Sequence, residues 1–564
     1  SSRAMKSDAP EFLEGLIAYY QRDYSAALQH AQTALRQAPW LYEALKLTAD
    51  IHLDQALQAR DSGRNEEAEK AFTAAVRAYS EAAEIGRSDG EVYEGLAEVW
   101  VRQIEMEVYA GRPTETAYVA AMAATDKGMI AEPASIGGPL KKAQATLMTM
   151  GLAFAGMSST ERTQRCITWA NAVLEKQPGN PYASDVAASC LVLTAERMVA
   201  DGKNPEPVIR QALDLLETAV SRYPKFLWGL NDLANVYVEA GTFLRLKDEP
   251  AARAAFTKAL QYQAKAIALD GTYLTALQNA LYVWQIFASS AKSDSDVALV
   301  LKQADEYFAK CMSINNQWQQ CYNNYFQVYA KAAVRTYLSG KESQPLVARA
   351  LENAAALRKL GGKFLDAEQH EALARWVEAS ELVRKRQDPK PALVEMQAAL
   401  TRCLALGAQD AMCLTLAAQA EWVAADWAEQ RGSAPLPSLN RALEKALLAT
   451  KSPESYPDGW QVLAQTQLRL AQATKSAGER VALVTAGLAA TDKVFALSPN
   501  HAAAHATHGA LKLLQARSLR EPSARHAAAQ AAEASLARAL TTDPLLAHDY
   551  SPLLAATKEL SAAK

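Results

Sequence analysis

No stretch of this 564-residue chain approaches the roughly eighteen consecutive apolar residues that a membrane span requires. Long runs of β-branched residues are missing too, which argues against an extensive sheet. There is no basic stripe. Formal net charge is −3 with both signs well mixed, so the footprint that phosphate backbones need is lacking and no nucleic-acid partner is expected. The densest basic run, Arg384-Lys385-Arg386, stands just before QDPKP and most simply complements the carbonyl end of a helix. Catalytic signatures are also wanting: Gly-x-Gly-x-x-Gly, a Walker-type loop, Gly-x-Ser-x-Gly, His-Glu-x-x-His and the protein-kinase motifs do not occur. The chain is therefore expected to be non-enzymatic and to need no cofactor. It opens without a signal peptide. Residues 1–10, beginning SSRAM, read as a cloning scar or linker, with the native protein expected to continue upstream.

What is present is helix-forming. Half of the residues are hydrophobic, and Ala, Leu, Glu, Gln and Arg dominate. Helix-stop signals recur at Pro39, Ser88, Pro133, Pro178, Pro224, Asp270, Ile314, Gly361, Gly407, Pro453, Pro499 and Pro544, an interval of about 46 residues. A weaker break such as QRDY, SGRN, AGRP or DGKN falls midway through most units. Each unit is thus two helices and a short turn. The second helices repeat a spacing of small residues: Ala27, Ala31, Ala34, Pro39; Ala212, Leu216, Ala219, Pro224; Ala532, Leu536, Ala539, Pro544; and Ala259, Gln263, Ala266, Gly271. Small side chains there let helices approach closely, and the final Pro or Gly ends the helix. Gly15 and Gly509 hold matching places in first helices. This is the tetratricopeptide pattern, stretched from 34 residues to about 46 by lengthening each helix to about 20 residues. The fold expected is an all-α solenoid of about twelve hairpins filling residues 11–564 as a single array. A short helix around SPLLAATKEL closes it, and GSAPLP (432–437) is its richest linker.

The six cysteines take their meaning from this register. Cys311 and Cys321 are centred on residue 316, Cys403 and Cys413 on 408, and Cys166 and Cys190 on 178. Each centre falls within two residues of a junction between units, where one second helix turns back against the next first helix. Residues equidistant from such a turn lie side by side, so three disulfides are expected. Each would contribute about 2–3 kcal/mol in the chain-entropy model. Disulfides persist in oxidising compartments, which places the protein outside the cytoplasm. The alternative is six ordinary small core residues in a reduced, cytoplasmic adaptor.

Two further groups stand out. HAAAHATH puts His501, His505 and His508 on one helical face at a spacing that suits zinc or copper; the alternative is that they pack in place of the repeat's usual large residues. Trp100, Tyr237, Trp284, Tyr329, Trp376 and Trp422 lie 12 to 15 residues beyond their junctions, deep in first helices. First helices line the concave groove of such solenoids, where aromatics could hold a peptide or glycan. Against that, aromatics at these places ordinarily pack between helices.

EFLEGLIAYYQRDYSAALQHAQTALRQAPWLYEALKLTADIHLDQA (11–56) and RSDGEVYEGLAEVWVRQIEMEVYAGR (87–112) resemble the tetratricopeptide region of Gram-negative bacterial Hanks-type transmembrane serine/threonine kinases. There a cytoplasmic kinase is joined through one membrane helix to a periplasmic solenoid. The resemblance implies a periplasmic sensor domain that binds a peptide, protein or envelope-derived ligand and biases an attached kinase, with membrane contact only through an upstream span. It leaves a homodimer open. A constitutive scaffold for an envelope or secretion complex is the alternative.

Overall fold

Two local features make the helices and set their ends. Side-chain caps begin many of them: Asp23, Ser158, Asp248, Ser293, Asp410 and Ser476 each accept a hydrogen bond from a backbone N–H three residues on. Proline enters at the first helical turn in others, where its missing N–H costs nothing. Left-handed residues close the tight turns within units, namely Gly63, Gly340, Gly432 and, without a glycine, Arg22 and Arg386.

The computed structural model describes residues 9–109, 112–149, 157–200, 203–245, 247–451 and 457–562. The opening residues read above as a cloning scar lie, up to residue 8, outside these. Among the described residues there is no strand and no helix long and apolar enough to cross a membrane. Helices α1 (Pro10–Tyr20) and α2 (Tyr24–Gln37) form the first hairpin, α3 (Tyr42–Asp61) and α4 (Asn65–Ile85) the second, α5 (Gly90–Tyr109) and α6 (Glu115–Ala131) the third. Then come α7 (Gly137–Met148) with α8 (Ser159–Lys176), α9 (Pro181–Ala200) with α10 (Glu206–Arg222), and α11 (Leu227–Leu244) with α12 (Glu249–Leu269). The next three are α13 (Leu274–Ser289) with α14 (Asp294–Ile314), α15 (Gln319–Leu338) with α16 (Gln344–Lys359), and α17 (Leu365–Arg384) with α18 (Lys390–Leu406). The last are α19 (Ala411–Gln430) with α20 (Leu436–Ala449), α21 (Pro457–Ala473) with α22 (Ala477–Leu497), and α23 (Ala502–Ser518) with α24 (Pro522–Thr542). A 3-10 turn, Pro544–Leu546, leads into a closing helix, α25 (Ala547–Ala562). The molecule is a tetratricopeptide-like α-solenoid of twelve hairpins. The first hairpin departs from the lengthened repeat: its helices have 11 and 14 residues, the usual tetratricopeptide length.

The small-residue rows sit where they were expected, at the contacts between helices. Ala27, Ala31, Ala212, Leu216, Ala259, Ala532, Leu536 and Ala539 are completely buried. A methyl group on Gly509 would lie 3.1 Å from the Ala532 carbonyl oxygen and 2.6 Å from Leu536 Cγ, so α23 and α24 approach too closely there for any side chain. The cysteines close three junctions: Cys166–Cys190 joins α8 to α9, Cys311–Cys321 joins α14 to α15, and Cys403–Cys413 joins α18 to α19. Their Cα atoms are 6.3, 6.6 and 6.2 Å apart, and all six residues are fully buried. The basic run does complement a helix end, but a neighbour's: Arg384 donates to the carbonyls of Tyr337 and Lys341 at the end of α15.

The coil also closes on itself, which the repeat alone did not show. The turn inside the Cys311–Cys321 loop seats Asn315 against Gly63, five hairpins earlier; a methyl group on Gly63 would come within 2.7 Å of Asn315 Oδ1. At the other end of α15, Arg335 grips Asp543 through a two-pronged ion pair of 2.7 and 2.8 Å, 208 residues away in sequence. Both side chains are more than four-fifths buried. Helix α15 is thus the clasp that meets the preceding turn of the superhelix at one end and the following turn at the other.

Two glycines give a controlled test of this closure. Gly63 (φ +75°) and Gly432 (φ +73°) pay the same left-handed penalty when replaced by alanine, about 1 kcal/mol, but Gly432 has no atom within 4 Å of a new Cβ. Gly63→Ala is expected to cost at least about 1 kcal/mol more than Gly432→Ala in urea unfolding. Equal losses would mean that the turns do not touch at Gly63.

Candidate functional site

First helices in the middle of the array are largely buried. Helices α15 and α17 have no exposed residue at all, whereas their partners α16 and α18 are exposed along one face. A polar side chain on such an inner helix finds its partner on the next first helix, one repeat away. Ser189 reaches Asp232, and Asn279 reaches Asn231 and Asn235. Lys331 reaches Gln285, Asn323 and Gln327 reach Asp366, Arg469 reaches Asp426, and Gln461 reaches Thr507. These partners are between 39 and 48 residues apart, so a ladder of hydrogen bonds runs along the inner face with the period of the repeat. Near the N-terminus its rungs are charged: Arg60, Glu105, Arg102, Glu98 and Lys141 link α3, α5 and α7. Burial alone would raise the Glu98 carboxyl, but Arg102 and Lys141 outweigh it and hold it at about 2. Across the coil, the Arg102 guanidinium lies 5.0 Å from the ring centre of Trp228, three hairpins on.

The inner faces of separate hairpins approach one another, as Arg102 and Trp228 do, and the space they line is the lumen of the coil. Tyr282 on α13 is 39 % exposed, yet burial pushes its hydroxyl up to about 12. Around it stand Glu239, Arg245, Asp366 and Glu196. Burial, with Glu196 beside it, raises Glu239 to about 7. Burial, with Arg245 nearby, lowers Lys331 to about 7. His370, on α17, is pushed down to about 3 by burial and by Lys331; its Nδ1 donates to the Asp366 carbonyl at 2.7 Å and its buried Nε2 has no partner. A second carboxyl pair lies on the same two helices as Glu196 and Glu239, α9 and α11: Asp185 and Asp232 are in hydrogen-bond contact, and burial raises both. The lumen therefore offers acids, bases, amides and one exposed aromatic ring in a setting where each charge interaction is stronger than in bulk water.

The six aromatics singled out from the sequence sit elsewhere, in the contacts between helices. Tyr237 is buried, hydrogen-bonded to Glu217 and stacked on Tyr262. Tyr329 donates to Asp305 at 2.7 Å, and Trp422 Nε1 donates to Thr466 at 3.0 Å. Trp284 lies against Phe287 and Trp376 against Tyr337, while Trp100 packs beside the cluster of Val101 and Ile104. Tyr237, Tyr329 and Trp422 are buried, whereas Trp100, Trp284 and Trp376 are half-buried. It is Tyr282, two residues before Trp284, that reaches the lumen.

The histidines are likewise dispersed among separate partners. His501 caps α23 through Nδ1 and meets Asp458 with Nε2 at 3.0 Å; His505 points Nε2 at the Pro499 carbonyl; His508 meets Ser535 at 2.8 Å. His505 and His508 share the Phe495 ring as packing partners. The carboxylate that meets this run is Asp458, supplied by the preceding first helix. Among the described residues, the one set of three ligand-type side chains close enough to share an ion is Cys403, Asp410 and Cys413, and its two sulfurs are spent on each other.

Sequence reasoning missed Asp185, Asp232, Glu239, Tyr282, Lys331 and His370. The signal was there: polar residues recur at the repeat interval within otherwise apolar first helices, as at 239, 285 and 331.

No protein-family model matches the sequence, nor does any curated protein. Solved structures of low similarity include the Cut9–Hcn1 hetero-tetramer of the APC/C (12% identity over 98% of this chain and 96% of that one, TM-score 0.41). Yeast Tom70 aligns over 98% of both chains at 12% identity and TM-score 0.36. YrrB, described as a TPR protein with an unusual peptide-binding site, aligns over 44% of this chain and 96% of its own at 16% identity and TM-score 0.24.

The lumen carboxyl makes a prediction about pH. Glu239 has its folded value raised above the ordinary 4.5, so ionising it opposes folding, and its contribution falls as pH climbs from 4.5 through about 7. Glu239→Gln should leave stability nearly unchanged at pH 4 and raise it at pH 8 by on the order of 1 kcal/mol, read from urea midpoints. No gain at pH 8 would mean that Glu239 is well solvated.

Proposed function

We propose that this chain is a non-enzymatic interaction scaffold of the tetratricopeptide type that works in an oxidising compartment and receives a protein or peptide partner in its lumen. The observation that carries this reading is the continuous polar inner face. Backbone amides of an extended segment need hydrogen-bond partners along their length, and a ladder of Asn, Gln, Asp and Lys side chains repeats such partners at every hairpin. Three buried disulfides at junctions support the compartment, since thiols in the cytosol are kept reduced.

A narrower reading makes this scaffold the periplasmic sensor of a transmembrane serine/threonine kinase. What supports it is the resemblance of residues 11–56 and 87–112, together with the oxidised cysteines. Ligand binding would then have to favour one arrangement of the coil by a differential free energy.

A photoreactive amino acid at Tyr282 in the lumen, compared with one at Val394 on the exposed face of α18, tests the reading in native cells. Adducts to one or a few defined proteins at 282, and none at 394, are expected. Adducts at 394 alone would move the binding surface to the outside of the coil and overturn the lumen assignment.

A further inference from the structure

We propose that Asp185, Asp232 and Ser189, with the side-chain amides of Asn231 and Asn235, form a binding site for one divalent, oxygen-seeking cation of the calcium type. The site lies between α9 and α11 and stands apart from the scaffold reading, since it requires no protein partner.

Two carboxyl groups are in contact there, inside protein. Asp185 is 8 % exposed, and Asp232 is surrounded by Asn231, Asn235 and Ser189. Two carboxylates brought together away from water repel, so something positive must lie between them: a proton or a metal ion. Every donor in reach is an oxygen or can become one, which is the ligand chemistry of a hard cation. Asp185 Oδ1 is buried and accepts no hydrogen bond from any N–H or O–H group among the described residues. A cation held by both oxygens of Asp185 would satisfy it.

The amides around the pair can turn to complete the shell. At present Asn231 Nδ2 and Asn235 Nδ2 donate to Asp232 Oδ1 at 2.8 and 3.2 Å, while their Oδ1 atoms accept from Asn279 Nδ2 at 3.0 and 3.1 Å. Rotating all three amides by half a turn exchanges oxygen for nitrogen at each position. Asn231 and Asn235 then present Oδ1 toward the carboxylates, and their Nδ2 groups donate to Asn279 Oδ1. No hydrogen bond to Asn279 is lost. With the Ser189 hydroxyl, which lies 3.3 Å from Asp232 Oδ2, the set reaches the six or so oxygens that calcium prefers.

The test is calorimetric titration of the chelator-treated, oxidised full chain with calcium chloride. One ion per chain is expected, with a dissociation constant between about 10 µM and 1 mM, the range of extracellular calcium modules and somewhat tighter. Asp185→Asn and Asp232→Asn should each weaken binding at least tenfold. Asp185→Asn replaces a protonated carboxyl with an amide that can donate the same hydrogen bond to Asp232, so it should fold as the parent does, which circular dichroism checks. No binding by the parent up to 10-fold above that range would show that the pair holds a proton alone and would overturn the proposal. So would binding that both variants retain. Neither result bears on partner adducts at Tyr282, so this site and the scaffold reading can fail separately.

Discussion

Everything in this molecule depends on the burial of its first helices. Each is covered by its own second helix, by the hairpin before and by the hairpin after, and α15 and α17, in the middle of the array, keep no exposed residue. No single hairpin can bury its apolar faces alone, so stacking is obligatory and the core is continuous. Burial of that kind forbids unpaired polar groups, and it dictates where the partners must be. A polar residue on an inner helix has the equivalent place one repeat away within reach and little else. The ladder from Ser189 and Asp232 through Asn279, Gln285 and Lys331 to Asp366 is the consequence.

A second consequence follows from the length of the array. A small rotation per hairpin accumulates until the coil meets itself, and residues distant in sequence come into contact between turns. The turn leading into α15 and the far end of that helix make the two meetings, at Asn315 beside Gly63 and at Arg335 with Asp543. The Cys311–Cys321 disulfide closes the ten-residue interval that carries Asn315, so it braces the very turn that docks on the first coil. Placing a staple there stiffens a contact surface, whereas Cys166–Cys190 and Cys403–Cys413 stiffen junctions within a turn. The interior is where ordinary acids and bases become unusual: Glu239 and Lys331 both sit near 7, from opposite starting points, because burial penalises the charged form of each and a like charge, Glu196 or Arg245, stands nearby.

The hairpins and their register were legible because they are written in residues whose backbone effects are local. Pro39, Pro178, Pro224 and Pro499 stop helices wherever they stand, and Ala27, Ala212 or Ala532 can only mean close approach when they recur at fixed spacing. The cysteine pairs were legible for a related reason: an antiparallel turn makes sequence symmetry into spatial contact. The aromatic column was harder to read because a large ring deep in a first helix can turn to a neighbouring helix or to the inner face. For Tyr237, Tyr329 and Trp422 the second helix or the next hairpin wins, by supplying a hydrogen-bond acceptor as well as apolar cover. The histidines failed as a cluster through the same contest, since His501 finds Asp458 exactly one unit earlier and caps its own helix besides. What no local pattern could reveal is the pitch. Asn315 meeting Gly63 depends on the sum of five hairpin rotations, and no residue near either position encodes that sum.

The closure of the coil is the claim on which the lumen, the clasp and the enclosed charges all rest, and one distance tests it. Spin labels at Asn65 and Gln317, both on the walls of the cavity between the two turns, would be measured by pulsed electron resonance in the oxidised protein. The account predicts a single narrow distribution at roughly 20 Å or below, the separation of labels on packed helices. In an open solenoid the five intervening hairpins, each about 10 Å thick, would hold the labels on the order of 50 Å apart. A broad distribution centred there would contradict it.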